Sequence, residues 1–236
     1  MTSASFVRDP IADELLTPQN AALVIIDFQP VQVASIVSME RRELIANVVA
    51  VAKAAKLYEI PVVLSTVNVA TGLNSPTIHQ LGDVLGNVTA IDRTSINAWE
   101  DEDFVTAVKA TGRRKLVMVA LWTEVCLAFP ALDAMREGFE VYPVVDAVGG
   151  TSAIAHRTGL ERILQAGARP ITWIQFACEL QRDWNREATK RALPRSSSPR
   201  FIREMVGSAD FERLHHSPRC FAGWYRPGFG AEFVHE

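Results

Sequence analysis

The chain has little cysteine: three residues in 236, Cys126, Cys178 and Cys220, with no C-x-x-C pair among them. An odd, widely spaced set of this kind does not form the disulfide framework of a small secreted protein. The first 18 residues carry acids and prolines but no hydrophobic signal segment. These features predict reduced thiols and a cytoplasmic protein.

Long apolar runs and a strong charge of either sign are also missing. No apolar stretch approaches the roughly 20 residues that a membrane-spanning helix needs. The 24 basic and 27 acidic residues leave a formal net charge of −3. That balance gives no electrostatic reason to expect nucleic acid or an anionic membrane as a partner, so we expect neither.

Short apolar runs alternate with helical patterns along most of the sequence. The runs predict six strands, at 22–26, 61–66, 89–92, 115–121, 140–145 and 170–174. Helices are predicted at 40–57, 102–111, 123–137, 153–166 and about 178–191, and a shorter one at about 78–85 within a long loop. Because strands and helices alternate with short connections, we predict an α/β fold with a parallel sheet covered on both faces.

The composition changes at Pro194. From there to Glu236, serine, glycine, proline, arginine and histidine are scattered among aromatics without a regular period. We predict one domain over 1–193, with its core at about 20–190, and a C-terminal extension over 194–236 that packs on a neighbouring subunit or is partly disordered. His215, His216 and Cys220 lack a second ligand pair at zinc spacing, so no metal site is expected.

Three chemically capable residues stand at the ends of predicted strands. Asp27, Arg93 and Cys126 each follow an apolar run, and they come from distant parts of the chain. In open parallel sheets, binding sites form in the crevice beyond the carboxyl ends of the strands. The fold can therefore bring the three side chains together. A structural interpretation also stands: Asp27 caps a turn and Arg93 is its surface ion-pair partner.

Cys126 has the setting of a nucleophile. Thr123 is a natural N-cap, which places Cys126 in the first turn of a helix, where free N–H groups and the helix dipole favour a thiolate. The alternative is that Cys126 is a small core residue, since free cysteine is among the most buried residue types.

Four neighbours are candidates for substrate contact. Phe28 and Trp122 are expected to form pocket walls, and Gln29 a wall or a supporting hydrogen-bond donor. Asn97 either caps the helix that follows or positions substrate, with the cap favoured.

Three segments together resemble the isochorismatase-like cysteine hydrolases. Residues 23–29, L-V-I-I-D-F-Q, are similar to that family's strand and D-x-Q opening, and Thr123 to Cys126 to its T-x-x-C nucleophile turn. Between them, residues 93–99, R-T-S-I-N-A-W, closely resemble the R-x-x-I-N-A-W segment of the YcaC-type branch. The similarity covers roughly residues 20–190, in the family's order.

The resemblance implies a three-layer α/β/α fold with a six-stranded parallel sheet, and a catalytic triad. Carried over, the general base is Asp27, the positive group is Arg93 in place of the usual lysine, and the nucleophile is Cys126. The family also has a non-proline cis peptide, here Leu121–Trp122, beside an oxyanion hole made by the backbone N–H groups of Trp122 and Cys126. The aspartate and histidines that bind zinc in nicotinamidase-type relatives have no counterpart after the second strand, so no cofactor is expected.

The function that follows is hydrolysis of an amide-type C–N bond in a small molecule through a thioester on Cys126. Two alternatives remain: a hydrolase of another bond type on the same scaffold, or a non-enzymatic oligomeric protein with Cys126 as a redox thiol. Relatives in the branch form rings or octamers, so the resemblance also implies a homo-oligomer.

Overall fold

A five-stranded parallel sheet forms the centre of the molecule. The structure is a computed structural model and describes residues 8–183. The strands are β1 (Ala21–Ile26), β2 (Val62–Val67), β3 (Ala90–Arg93), β4 (Lys115–Ala120) and β5 (Glu140–Pro143). They are all parallel and lie in the order β3-β2-β1-β4-β5. The predicted C-terminal extension, 194–236, lies outside the described residues.

The helices pack on the sheet to complete a three-layer α/β/α fold, as predicted. They are α1 (Pro30–Ala34), α2 (Arg41–Leu57), α3 (His79–Leu85), α4 (Glu102–Ala110), α5 (Ala128–Arg136), α6 (Ala153–Gln165) and α7 (Trp173–Gln181). All six residues of β1 are fully buried, which is the pattern of a strand covered on both faces. Among residues 8–183, no helix is both long and apolar enough to cross a membrane.

The predicted sixth strand, at 170–174, is wrong. Only Ile171 pairs with the sheet edge, through a single bridge to Val144. The preceding Pro170 has no N–H to donate to a ladder. The following Thr172 caps α7 in a reciprocal capping box with Gln175, so the chain is already committed to a helix. That same box starts α7 five residues before the predicted position, 178, and the helix ends at Gln181 instead of continuing through 182 and 183; the rest of that prediction, from residue 184, lies outside the described residues.

The order of the strands fixes where a site can form. From β1 the chain builds outward through β2 and β3 on one side, and through β4 and β5 on the other. The carboxyl ends of β1 and β4 therefore flank the point where the strand order reverses, and a crevice opens there. Asp27 directly follows β1, and a turn after β4 carries Cys126.

That turn is held closely by α6. A Cβ added at Gly159 of α6 would lie 2.7 Å from Glu124 Cα and 2.9 Å from Glu124 N. Both are backbone atoms of the turn, so neither moves aside without displacing it. Glycine at 159 is therefore what allows the helix to approach the turn.

We expect Gly159→Ala to destabilise the protein by about 1–3 kcal/mol, the usual cost of overpacking. The matched control is Gly82→Ala in α3, where an added Cβ meets nothing within 4 Å and alanine is expected to stabilise by up to about 1 kcal/mol. Urea unfolding at one protein concentration measures both. A Gly159→Ala protein as stable as wild type would contradict the close approach.

Candidate active site

A buried ion pair joins Asp27 to Arg93. Arg93 Nη1 lies 2.7 Å from Asp27 Oδ1, and Nη2 lies 2.8 Å from Oδ2, so the guanidinium holds the carboxylate with two parallel hydrogen bonds. Asp27 is 0% exposed and Arg93 3%. Burial alone would lower the pKa of Arg93, but the hydrogen bonds and charge of Asp27 raise it above its ordinary value. The guanidinium therefore stays charged, as a paired buried charge does.

The length of the arginine matters because it crosses a strand. Arg93 is the last residue of β3, and β2 lies between it and β1. Neighbouring strands are about 4.8 Å apart, so β3 lies about 10 Å from β1, and the Arg93 and Asp27 side chains together bridge that distance. On the way, Nη1 donates to the Thr66 carbonyl at 3.0 Å and the Ser65 hydroxyl at 3.3 Å, and Nη2 donates to the Ile96 carbonyl at 3.3 Å. These acceptors aim the guanidinium at Asp27.

Cys126 is the third member of the group. It lies in a single π-helical turn, Thr123–Leu127, that precedes α5. Its sulfur lies close enough to the Asp27 carboxylate, the Arg93 guanidinium and the backbone N–H of Trp122 for each of them to shift its pKa. The Leu121–Trp122 peptide is cis, as the resemblance implied. Residues 27, 93 and 126 therefore meet at the rim where the sequence placed them.

The sulfur is a thiol at rest. Burial raises the pKa of Cys126 well above its ordinary value, and the charge of Asp27 and its hydrogen bond raise it further. The Trp122 N–H and Arg93 lower it, but by less. The expectation that the helix start favours a thiolate is wrong for this state, because Cys126 is only 7% exposed and burial disfavours the charged form.

Thr123 is not the helix cap that the sequence suggested. Trp122 takes the capping position, and the Thr123 hydroxyl lies 2.8 Å from His156 Nδ1 on α6. The indole N–H of Trp122 donates to the Ser35 hydroxyl at 2.6 Å, so its ring is held beside the residues that follow α1.

The two polar candidates around the triad already have partners. Gln29 is fully buried: its amide donates to the Val67 and Ser75 carbonyls at 3.1 and 2.7 Å and accepts from the Val67 N–H. It therefore ties the loop after β2 to β1. Asn97 accepts from the Trp99 N–H at 3.1 Å and donates to Asp133 at 2.7 Å, so it caps the short 3₁₀ turn Ala98–Glu100, whereas α4 is capped by Asp101.

Phe28 is fully buried, and its carbonyl accepts from the Ile78 N–H at 2.8 Å. Its place on a pocket wall stays a prediction. Sequence reasoning did not identify Ser65 or His156 as part of this region. A serine inside the apolar run of β2 was a usable signal, whereas nothing in the sequence around His156 points to the turn. Within residues 8–183, no group of three or more His, Cys, Asp or Glu residues is arranged to hold a metal ion.

Comparison with known proteins gives consistent matches. The isochorismatase domain family model matches residues 21–175. The probable hydrolase YcaC of Escherichia coli is 40% identical over 173 residues, 73% of this chain and 83% of that protein.

Two solved structures of YcaC have nearly the same fold. YcaC from Pseudomonas aeruginosa, solved with hexane-2,5-diol and covalent acrylamide, has a TM-score of 0.74 at 33% identity; the match covers 86% of this chain and 96% of that one. The E. coli protein, described as an octameric hydrolase of unknown specificity, has a TM-score of 0.73 at 34% identity, over 90% of this chain and 97% of that one.

The contacts around Cys126 predict a specific pH effect. Replacing Asp27 by Asn removes the negative charge beside the sulfur and leaves the charge of Arg93, so the pKa of the thiol should fall. We expect the rate at which iodoacetamide modifies Cys126 to begin to rise at a lower pH in Asp27→Asn than in wild type. Peptide mass spectrometry across about pH 6–10 would follow the reaction at this one cysteine.

The control for this experiment is Asp103→Asn, which removes an exposed carboxylate on α4. It should leave the profile unchanged. A profile that stays in place or moves upward in Asp27→Asn would show that Asp27 does not raise the pKa of Cys126.

Proposed function

The chain belongs to the isochorismatase family of hydrolases, on its YcaC-type branch, and from this premise we propose that it is a cysteine hydrolase of a small amide-type compound. The observation that carries the proposal is the placement of the buried Cys126 thiol beside the carboxylate of Asp27, which Arg93 holds with two hydrogen bonds. A nucleophile beside an oriented base is the arrangement of covalent catalysis.

In the proposed first step, Asp27 takes the thiol proton as the Cys126 sulfur attacks the substrate carbonyl carbon. The proton leaves as the sulfur–carbon bond forms, so a free thiolate need not accumulate despite the raised pKa. The negative charge that develops on the carbonyl oxygen is stabilised by the backbone N–H groups of Trp122 and Cys126. One such donor contributes about 3–4 kcal/mol in measured enzymes.

The second half of the cycle releases the products and returns Asp27 and Cys126 to their starting protonation states. The protonated Asp27 gives its proton to the leaving amine as the C–N bond breaks, which leaves a thioester on Cys126. Water then attacks the thioester carbonyl; Asp27 accepts the water proton and returns it to the departing sulfur. Arg93 stays protonated throughout and holds the carboxylate in place in both of its states.

The alternatives are less well supported by these contacts. A redox thiol reacts as a thiolate, and Cys126 is buried with a raised pKa. Isochorismatase-like enzymes that cleave an enol ether lack a nucleophilic cysteine, whereas here a cysteine sits against the base.

Substitution of the two reacting residues tests the proposal. We expect Cys126→Ser to remove detectable turnover and Asp27→Asn to lower kcat by about 100- to 10,000-fold, the contribution of a general base. A panel of small amides, ureides and hydroxamates, assayed by release of ammonia or hydroxylamine, would provide the substrate. Cys178→Ser, which changes a half-buried cysteine on α7, is the control and should retain wild-type rates. Full turnover by Cys126→Ser on a substrate that wild type cleaves would refute the mechanism.

We also propose that the chain forms a homo-oligomer, as E. coli YcaC does. Among residues 8–183, the exposed large apolar side chains include five in segments that follow strands: Val31, Val37, Leu73, Ile96 and Ile154. Exposed apolar side chains are candidates for a contact surface where they adjoin one another. The cytoplasmic location stays a prediction.

Light scattering coupled to gel filtration tests the oligomer. We expect a mass that is a multiple of the 26.0 kDa chain, with eight copies as the specific expectation from the E. coli relative. A single species at 26.0 kDa across the micromolar range would contradict it.

A further inference from the structure

The back of the Cys126 turn is held by one segment, residues 149–159. The Thr123 N–H donates to the Gly149 carbonyl at 2.9 Å. Glu124 Oε1 accepts from the Thr151 N–H at 3.0 Å and from its hydroxyl at 2.6 Å. The close approach at Gly159 completes the contact. The turn that carries the nucleophile is therefore fixed by this segment as well as by the strand it follows.

One side-chain hydrogen bond from α6 reaches the turn directly. His156 Nδ1 lies 2.8 Å from the Thr123 hydroxyl, and Thr123 is fully buried. Burial lowers the pKa of His156, although the charge of Glu124 opposes this. The imidazole is therefore neutral at neutral pH and forms a single well-defined hydrogen bond with the hydroxyl.

The side chain of Glu124, the acidic residue of the turn, is less firmly held. Glu124 Oε2 is buried and has no hydrogen-bond partner among the described residues. Only its Oε1 is bonded, and the partner, Thr151, is exposed. The bond between His156 and Thr123 is thus the more protected of the two side-chain connections, and it involves the residue next to the Trp122 N–H that contacts the sulfur.

We propose that His156 is a positioning residue: through the Thr123 hydroxyl it fixes the turn that holds the Cys126 sulfur against Asp27 and the Trp122 N–H. An effect of His156 on turnover rests on the proposed function, whereas an effect of His156 on the reactivity of Cys126 does not. A misplacement of about 1 Å in a reacting group costs up to about a hundredfold in rate. The loss of this bond should therefore affect kcat much more than KM.

Two pairs of variants separate positioning from simple packing. Thr123→Val and His156→Phe keep the approximate shape of each side chain but remove the hydrogen bond. Thr123→Ser keeps the hydroxyl, and His156→Asn keeps a polar group near the position of Nδ1. Thr158→Val, an exposed position on the same helix, is the matched control. Two rates are measured: turnover of the amide substrate, and modification of Cys126 by acrylamide, followed by peptide mass spectrometry.

We expect Thr123→Val and His156→Phe each to slow both rates by about 10- to 100-fold. The double variant should be no slower than either single one, because both remove the same bond. The conservative variants should stay within about threefold of wild type, and Thr158→Val should match it. A further outcome is that wild type cleaves none of the amides while Thr123→Val and His156→Phe still slow the modification of Cys126. That result would support the positioning role of His156 and would count against the proposed amide hydrolysis only.

Three results would overturn the proposal. The first is an unchanged rate of Cys126 modification in both Thr123→Val and His156→Phe, including the case in which only thermal stability falls, because that would show a structural role alone. The second is a double variant in which the two single losses multiply. The third is a loss in Thr123→Ser and His156→Asn as large as in the bond-deleting variants.

Discussion

The buried ion pair between Asp27 and Arg93 is the interaction on which the site depends. Two charges that are almost wholly removed from water are tolerated because each satisfies the other with two short hydrogen bonds. Removing one partner of such a pair commonly costs about 3–5 kcal/mol, because the other is left as an uncompensated buried charge. The pair also joins β1 to β3 across β2, so it fixes the carboxylate relative to the whole edge of the sheet.

The reactivity of Cys126 follows from that pair. A cysteine nucleophile is activated either by a lowered pKa or by an adjacent base. Here burial and the neighbouring carboxylate raise the pKa of the thiol, which leaves the base as the route. Arg93 neutralises much of the charge of Asp27 without being able to give up a proton, so in the proposed mechanism Asp27, and not Arg93, exchanges protons with Cys126, the leaving amine and water. The replacement of the usual lysine by arginine is consistent with this division of roles.

Much of this architecture was predictable because its causes are local in the sequence. Five of six predicted strands are present, and Asp27, Arg93 and Cys126 meet because parallel strands end on one edge. The sixth strand failed because Pro170 and the Thr172 cap outweigh a short apolar run. The thiolate expectation failed because the helix-start argument took no account of burial. His156 was missed because its contact with Thr123 depends on how α6 packs, which no local pattern records.

In the proposed mechanism Cys126 forms a covalent acyl intermediate with Asp27 as its base. Intact-mass spectrometry of protein quenched during reaction with small amides detects such an intermediate. We expect an added mass equal to the acyl group on the wild-type chain, mapped to Cys126, and none on Cys126→Ser. Two results would contradict this mechanism in a protein that turns over an amide. One is the acyl group attached to a residue other than Cys126. The other is no acyl group at all when low temperature has slowed deacylation.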